Sequence, residues 1–415
     1  MREEAIAANR RPLDWLSFFL ADVQGGIGPF LAIYLLGSRH WNPGEIGVVL
    51  TIAGIATVVA RGPAGALVDA VTWKRTLIAL AAGTIMATAS VMALWPYFWP
   101  VAIAQGLTGA ADAVFPAALS GISLGIVGRQ MFTRRIGRNE AFNHGGNAAT
   151  AIAAGLAGYL IAPGAVLWIV VALALASIVA CYRVDGRAID HELARGADDG
   201  DNAHQPTGLK LVFENRSLLM FTAAITLFHF ANAAMLPLLG ENLARSHAAA
   251  GSLFMASCII TAQVVMVPMA IMVGRHADAW GRKPIFLAGF AVLPVRGFLY
   301  TLTTDPTLLI SIQILDGVGA GIFGALFPVV VADLTKGSGR YNLAQGASGA
   351  CWGLGAAMSN GVAGEIVNAA GFDTAFLFLA GCALAALLVF WLGVPETRDA
   401  AIRAAPPAPL RAVAD

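Results

Sequence analysis

Charge is what this chain of 415 residues has least of. Asp, Glu, Lys and Arg make up 12% of it, against roughly 25% in an ordinary soluble domain. The net charge of +1 supplies no basic field for nucleic acid. No polar stretch is long enough to fold a separate catalytic domain. A glycine-rich phosphate loop is also missing, which argues against an ATP-driven pump. The four cysteines, Cys181, Cys258, Cys351 and Cys382, are scattered through apolar segments without the spacing of a zinc site. Nor do the few polar residues of those segments show a nucleophile–base or metal-ligand spacing. The chain is therefore not expected to be an enzyme, and no metal or cofactor is called for.

What the chain has in abundance is apolar side chains, 58% of the total. A bilayer core about 30 Å thick needs about 20 apolar residues per helix. Measured against that length, the sequence gives twelve spans. Six lie near 14–36, 45–68, 75–95, 98–127, 140–162 and 164–183, and six near 217–240, 250–273, 284–303, 307–333, 344–368 and 373–394. The first is too long, and lacks the small-residue cleavage site, to be a removed signal peptide. The expected fold is an all-α integral membrane protein with twelve transmembrane helices in two pseudo-symmetric six-helix bundles, 1–183 and 216–397. The polar segment 184–215, rich in Asp, Gly and Ala, reads as a flexible cytoplasmic tether. The tail 398–415, with its Ala/Pro run, reads as disordered.

Basic residues set the orientation. With both termini in the cytoplasm, that side holds 22 of the 26 Lys and Arg. The other side holds Arg39 and Arg245, while Arg61 and Arg296 sit inside spans. This asymmetry fits the positive-inside rule and an inner-membrane location.

Two charged turns repeat at about half the chain length. Gly274, Asp278, Gly281, Arg282 and Lys283 join two apolar runs, and Gly65, Asp69, Lys74 and Arg75 form a degraded copy. Asp278 minus Asp69 is an offset of 209. Pro29 and Pro237 are 208 apart, and the Gly155/Gly158 pair recurs as Gly361/Gly364 at 206. Gln105-Gly106 with Phe115-Pro116 resembles Asp316-Gly317 with Phe327-Pro328. Halves repeated in one orientation are related by an axis along the membrane normal, an arrangement in which carriers bind solute near the midplane between repeats.

With twelve spans, a central loop and these two turns, the chain resembles the major facilitator superfamily over about residues 12–398. Val394-Pro395-Glu396-Thr397-Arg398 is similar to the Pro-Glu-Thr element at the end of the family's twelfth span. In the first turn Thr72 replaces the signature's second glycine and Trp73 its first arginine. In the fifth span Gly146 and Gly155 resemble part of the antiporter signature, but Tyr159-Leu160 stands where its Gly-Pro belongs. In the fourth, Ala102 replaces the expected arginine. The resemblance implies alternating access by rocking of the two halves, with helices 1, 4, 7 and 10 lining a central cavity and the protein working as a monomer.

An ionisable group at mid-bilayer costs at least about 2.5–3.5 kcal/mol, so each one invites a functional reading. The spans hold Asp22, Arg61, Asp112, His229, Arg296, Asp316 and Glu365, with Asp333 near one end. Asp22, Asp112, His229 and Asp316 fall on spans 1, 4, 7 and 10 and are the proton- or cation-coupling candidates. Gln24, Gln105, Asn232 and Gln313 are candidates for contacting solute. Arg61 with Asp22, and Arg296 with Asp316, lie at similar depths and could instead be structural pairs, Asp112 has no obvious basic partner, and Glu365 reads as an inter-helix contact. Asp69 and Asp278 could pair with basic residues of the turns, or cap a helix of the other half while that side is shut.

The function expected is secondary transport of a small-molecule solute across the bilayer, driven by protons. Efflux of an amphipathic or toxic compound is one reading. Uptake of a small nutrient or metal chelate by proton symport is another. A membrane receptor or scaffold that transports nothing is a third.

Overall fold

The computed structural model describes residues 2–23, 31, 34, 35, 39, 41, 43–162, 164–197, 214–246 and 251–398. Gln24, Pro29, 198–213 and the tail 399–415 lie outside the described residues, as does the side chain of Asp22. Among the described residues there are helices and no strand. In lipid a spanning segment must satisfy its own backbone, and apolar runs of this length do so as helices.

In chain order these are α1 (Arg2–Val23), α2 (Pro43–Ala70), α3 (Lys74–Leu94), α4 (Phe98–Asp112, continued by Val114–Val127), α5 (Arg129–Leu160) and α6 (Ala165–Arg183). The second half has α7 (Arg216–Ala233, continued by Met235–Ser246), α8 (Gly251–Trp280), α9 (Arg282–Leu299), α10 (Pro306–Leu334), α11 (Tyr341–Ala370) and α12 (Phe372–Gly393). Among the described residues, eight of the twelve are long and apolar enough to cross a membrane: α2, α3, α4, α6, α7, α8, α10 and α12. The breaks in α4 and α7 have one cause. Pro116 and Pro237 lack the N–H that would bond the carbonyl four residues earlier, at Asp112 and Ala233.

Packing within each half follows one plan. In the first half α2 packs on α4, α3 on α6, and α1 on both α5 and α6. In the second, α8 packs on α10, α9 on α12, and α7 on both α11 and α12. The halves join where α2 meets α11 and α5 meets α8.

Glycine sets the closeness of those two crossings. A Cβ at Gly346 would overlap the Arg61 carbonyl, and one at Gly65 the Asn342 carbonyl. At the other crossing a Cβ at Gly137 would run into Ala270 and Gly274. The pairs share the repeat interval: Gly65 to Gly274, Arg61 to Ala270 and Gly137 to Gly346 are each 209 apart. All of them lie toward the end that carries the charged turns (the turn end). Toward the opposite end Gly47, Gly54, Gly155, Gly158, Gly361 and Gly364 face open space. The halves are therefore shut at the turn end.

The segment after α6 departs from a flexible tether. Residues 186–188 form a turn of 3-10 helix, and His191–Ala194 a short helix capped by the Asp190 carboxylate on the Leu193 N–H. This piece is anchored to α4 by the Asp190 N–H on the Gly125 carbonyl. It then reaches the other half. Gly337 and Tyr341 donate their N–H groups to the carbonyls of Gly196 and Arg195, at 2.9 and 3.0 Å. Its polarity serves backbone pairing across the junction, which composition alone does not distinguish from a loose linker.

Candidate functional site: the turn-end gate and the polar centre

The N-terminus of α11 presents backbone N–H groups with no helical acceptor. Asp69, at the end of α2, supplies one. Its carboxylate accepts from the N–H groups of Asn342 and Leu343 at 3.2 and 2.8 Å, and from Asn342 Nδ2 at 2.8 Å. The helix dipole adds to this contact between halves. At the equivalent place Asp278, at the end of α8, accepts from Thr133 Oγ1 on α5 at 2.9 Å and from Arg282 at 3.1 Å. Arg282 is buried and also binds Asp333 of α10 at 2.6 Å.

The remaining turn residues hold their own half together. Lys74 Nζ caps the end of α2 by donating to the carbonyls of Val68 and Val71 at 2.5 and 2.6 Å. Arg75 donates to the Val184 carbonyl at 2.5 Å. Gly281 takes φ +94°, a left-handed conformation that glycine adopts without strain, and lets α8 turn directly into α9. Glu396, of the Pro-Glu-Thr element, caps α9 by accepting the N–H groups of Arg282 and Lys283 at 3.1 Å each. Lys283 Nζ donates to the Trp391 carbonyl at 2.6 Å.

Deeper in the bundle, Arg61 lies at the α2–α11 crossing. It donates to the Gly349 carbonyl at 2.6 Å, stacks over Trp352 at 4.2 Å and is within Coulombic range of Asp112. Asp112 thus lies in the field of an arginine that spacing did not reveal, whereas the Asp22 side chain is outside the described residues. The His229 ring lies 4.3 Å from Trp352 and 4.5 Å from Phe323, with Nδ1 on the Ile225 carbonyl at 3.0 Å. Arg296, Asp316 and Asn232 form one network: Arg296 is ion-paired to Asp316 and donates to Asn232 Oδ1 at 2.5 Å. Together with His229, Phe228 and Phe323 they line a small cavity.

Two expectations need correction. Gln105 and Gln313 are buried inside their own halves, on Met92 Sδ at 3.5 Å and on the Tyr300 hydroxyl at 2.6 Å, and do not line a space for solute. Glu365 is exposed and makes no hydrogen bond or ion pair among the described residues, so it is no inter-helix contact. Asn232 does line the small cavity, with its Oδ1 taken by Arg296.

Two polar groups escaped the reading of the sequence. Asp14 on α1 binds both Arg135 and Arg138 of α5 at 2.6 Å. Glu140 and His144, also on α5, approach each other at 3.9 Å, and His144 Nδ1 donates to Gln263 Oε1 of α8 at 2.9 Å. The signal was a helix start. With α5 beginning at Arg129 and not near 140, Glu140 lies three turns inside it.

A match to the Major Facilitator Superfamily covers residues 15–262 and, again, 218–414. The chain belongs to that superfamily. It is 51% identical over 395 residues to uncharacterized MFS-type transporters of Mycobacterium tuberculosis strains CDC 1551 / Oshkosh and ATCC 25618 / H37Rv, covering 95% of this chain and 94% of theirs. A multidrug transporter protein of Bacillus subtilis strain 168 is 29% identical over 130 residues, 30% of this chain and 23% of that one. Among solved structures, the fold matches the E. coli fucose:proton symporter at a TM-score of 0.73, over 94% of this chain and 100% of that one at 13% identity. It also matches the human organic anion transporter MFSD10, TM-score 0.70, over 94% and 99% at 13% identity. The facilitator is a secondary transporter embedded in a membrane through many helices, and not an enzyme. The turn-end contacts and the polar centre belong to a carrier of small-molecule solutes.

Proposed function

We propose that this facilitator exports a small amphipathic compound in exchange for protons, by alternating access between its two halves. The observation that carries the reading is the group of side chains at the α2–α11 crossing. A guanidinium (Arg61) lies on an indole (Trp352), within Coulombic range of a carboxylate (Asp112), and the indole in turn meets the rings of His229 and Phe323. Aromatic faces give a loosely selective surface for flat apolar solutes, and a membrane carboxylate is a natural proton carrier. The similarity to a multidrug transporter over part of the chain favours export.

In this reading the turn end faces the cytoplasm, as the Lys and Arg asymmetry requires, and so do both termini. The bilayer is the inner membrane, and the monomer is the working unit. The gate contacts of Asp69 and Asp278 hold the cytoplasmic side shut. Asp22 and Asp112 carry coupling protons. Asp316 is neutralised by Arg296, which makes it the weaker candidate, and His229 serves the solute wall.

The absence of the Gly-Pro pair at Tyr159-Leu160 favours a second reading, uptake by proton symport of a small nutrient or metal chelate. One experiment separates the two. Purified protein in proteoliposomes with a trapped pH dye is presented with organic cations, organic anions and neutral sugars, beside Asp112→Asn. Proton flux opposite in direction to a cationic or neutral amphipath, and lost in the variant, supports export. Co-directional flux selects symport. Solute movement without proton movement removes coupling altogether.

A further inference from the structure

The two crossings that join the halves carry opposite chemistry. The offset of 209 that relates Asp69 to Asp278 also relates Arg61 to Ala270, Glu140 to Gly349 and His144 to Gly353. At the α2–α11 crossing the Arg61 guanidinium fills the space over the two glycines, Gly349 and Gly353. At the α5–α8 crossing an alanine replaces that arginine, and a carboxylate and an imidazole replace the two glycines. The acidic crossing has no counterpart of Arg61.

The groups there are set up as acceptors. Gln263 Oε1 takes the His144 Nδ1 hydrogen, so the neutral ring keeps its lone pair on Nε2. That atom is buried and has no hydrogen-bond partner among the described residues. It faces Glu140 Oε2 at 3.9 Å. Gly324 of α10 also lies against the Glu140 carboxylate, and Pro328 lacks the N–H that would bond the Gly324 carbonyl. Two facing acceptors without a hydrogen between them repel, and one proton shared between them removes that repulsion and lets them close from 3.9 Å to hydrogen-bond distance.

Nearby charges are already engaged. On α1, Asp14 is held by Arg135 and Arg138. On α8, Asp278 is held by Thr133 and Arg282, and on α10 Asp333 is held by Arg282 and Asp316 by Arg296. On α4, Asp112 is within Coulombic range of Arg61. Among the described residues His144 is the one titratable group within ion-pair distance of Glu140.

We propose that Glu140, His144 and Gln263 form a proton-binding site at the α5–α8–α10 crossing, and that a proton held there favours the shut turn end. The proton comes from water on the open side and lies between Glu140 Oε2 and His144 Nε2. Gln263 and Gly324 belong to the second half, whereas Glu140 and His144 belong to the first. Parting of the halves at the turn end therefore breaks the His144–Gln263 bond, hydrates the carboxyl group and releases the proton to that side. This assignment rests on the proton-coupled reading above and gives it a further carboxylate, at the junction of the halves.

The test is hydrogen–deuterium exchange of the full chain in lipid nanodiscs, with protons as the probe. Protection of segments 129–137 and 337–345 is followed between acid and alkaline pH after correction for intrinsic exchange. Wild type should gain protection as pH falls, Glu140→Gln should lose that dependence, and Glu140→Asp should restore it with a displaced midpoint. His144→Gln should displace the midpoint as well. Wild-type dependence that survives in Glu140→Gln and vanishes in Asp112→Asn overturns this site and leaves proton coupling standing. No dependence in wild type overturns both. A response to NaCl over choline chloride at fixed pH, with none to pH, would make the ligand sodium and overturn the proton site.

Discussion

The Asp69 carboxylate accepts the backbone N–H groups of Asn342 and Leu343 from the other half of the molecule, at 3.2 and 2.8 Å. The interval of 209 maps Asp69 onto Asp278 and Thr133 onto Asn342. Asp278 in turn accepts from Thr133 Oγ1. The closure at the turn end is therefore one contact made twice, with the halves exchanging roles, and each copy ties the end of one helix to the start of another across the junction. A two-state carrier needs contacts present in one state and absent in the other, and substitutions at these contacts test whether they behave so.

Asp69→Ala should open the turn end. It strips a charged acceptor from three donors, and a hydrogen bond to a charged group contributes about 1.5–3 kcal/mol. Water at the parted end recovers part of this. A net loss of about 3 kcal/mol shifts the equilibrium about a hundredfold. Exchange of the amides at 341–345 reads this directly. Unchanged protection there would mean that the carboxylate does not hold the gate shut.

Asp278→Ala and Thr133→Val should act in the same direction but more weakly. One side-chain hydroxyl crosses between the halves at this copy, and Arg282 keeps Asp333 when Asp278 is gone. One bond to a charged acceptor contributes about 1.5–3 kcal/mol before water recovers part of it, and a net loss of about 1 kcal/mol is a shift of about fivefold. Exchange at 129–137 is the measurement. A shift as large as that of Asp69→Ala would show that the number of donors at each carboxylate does not set the strength of the gate.

Much of this architecture was legible in the sequence because lipid enforces length and polarity together. Twelve apolar runs, two charged turns and offsets near half the chain length were enough for the fold. Pairings between distant helices were not legible. Arg61 reaches Gly349, Trp352 and the field of Asp112 through helix rotation, which depth along the membrane does not define. Gln105 and Gln313 looked available for solute because their helices line the cavity in the family, yet each turns into its own half. Glu140 was hidden by a helix end set at the apolar boundary. The α5 helix runs on through a polar stretch in which Arg135 and Arg138 are held by Asp14.

Glycine at the crossings gives a steric test. Gly137→Val and Gly346→Val place side chains where the Ala270 and Arg61 carbonyls lie. Both should force the turn end apart, because backbone on the partner helix has no rotamer with which to yield. Gly361→Val and Gly364→Val, which face open space, serve as matched controls. Solvent accessibility of a reporter cysteine at the turn end should rise in the first pair and not in the second. An equal response in all four would trace the effect to helix propensity, which valine alters at every site.

The strap formed by residues 190–197 makes the last prediction. Gly196 sits at φ +81°, where a residue with a Cβ costs about 1–2 kcal/mol, and that Cβ would also press on the Tyr341 side chain. Gly196→Ala should therefore release the N–H groups of Gly337 and Tyr341, which the strap's carbonyls hold, while the Leu343 N–H stays on Asp69. Residue-resolved exchange should show that split. In the double variant with Asp69→Ala the two losses should not add, because both act on the start of α11 and neighbouring contacts couple. Uniform loss of protection at Gly337, Tyr341 and Leu343 in Gly196→Ala alone would make the strap and the carboxylate a single closure. Loss at none of them would return the segment to the loose tether that its composition suggests.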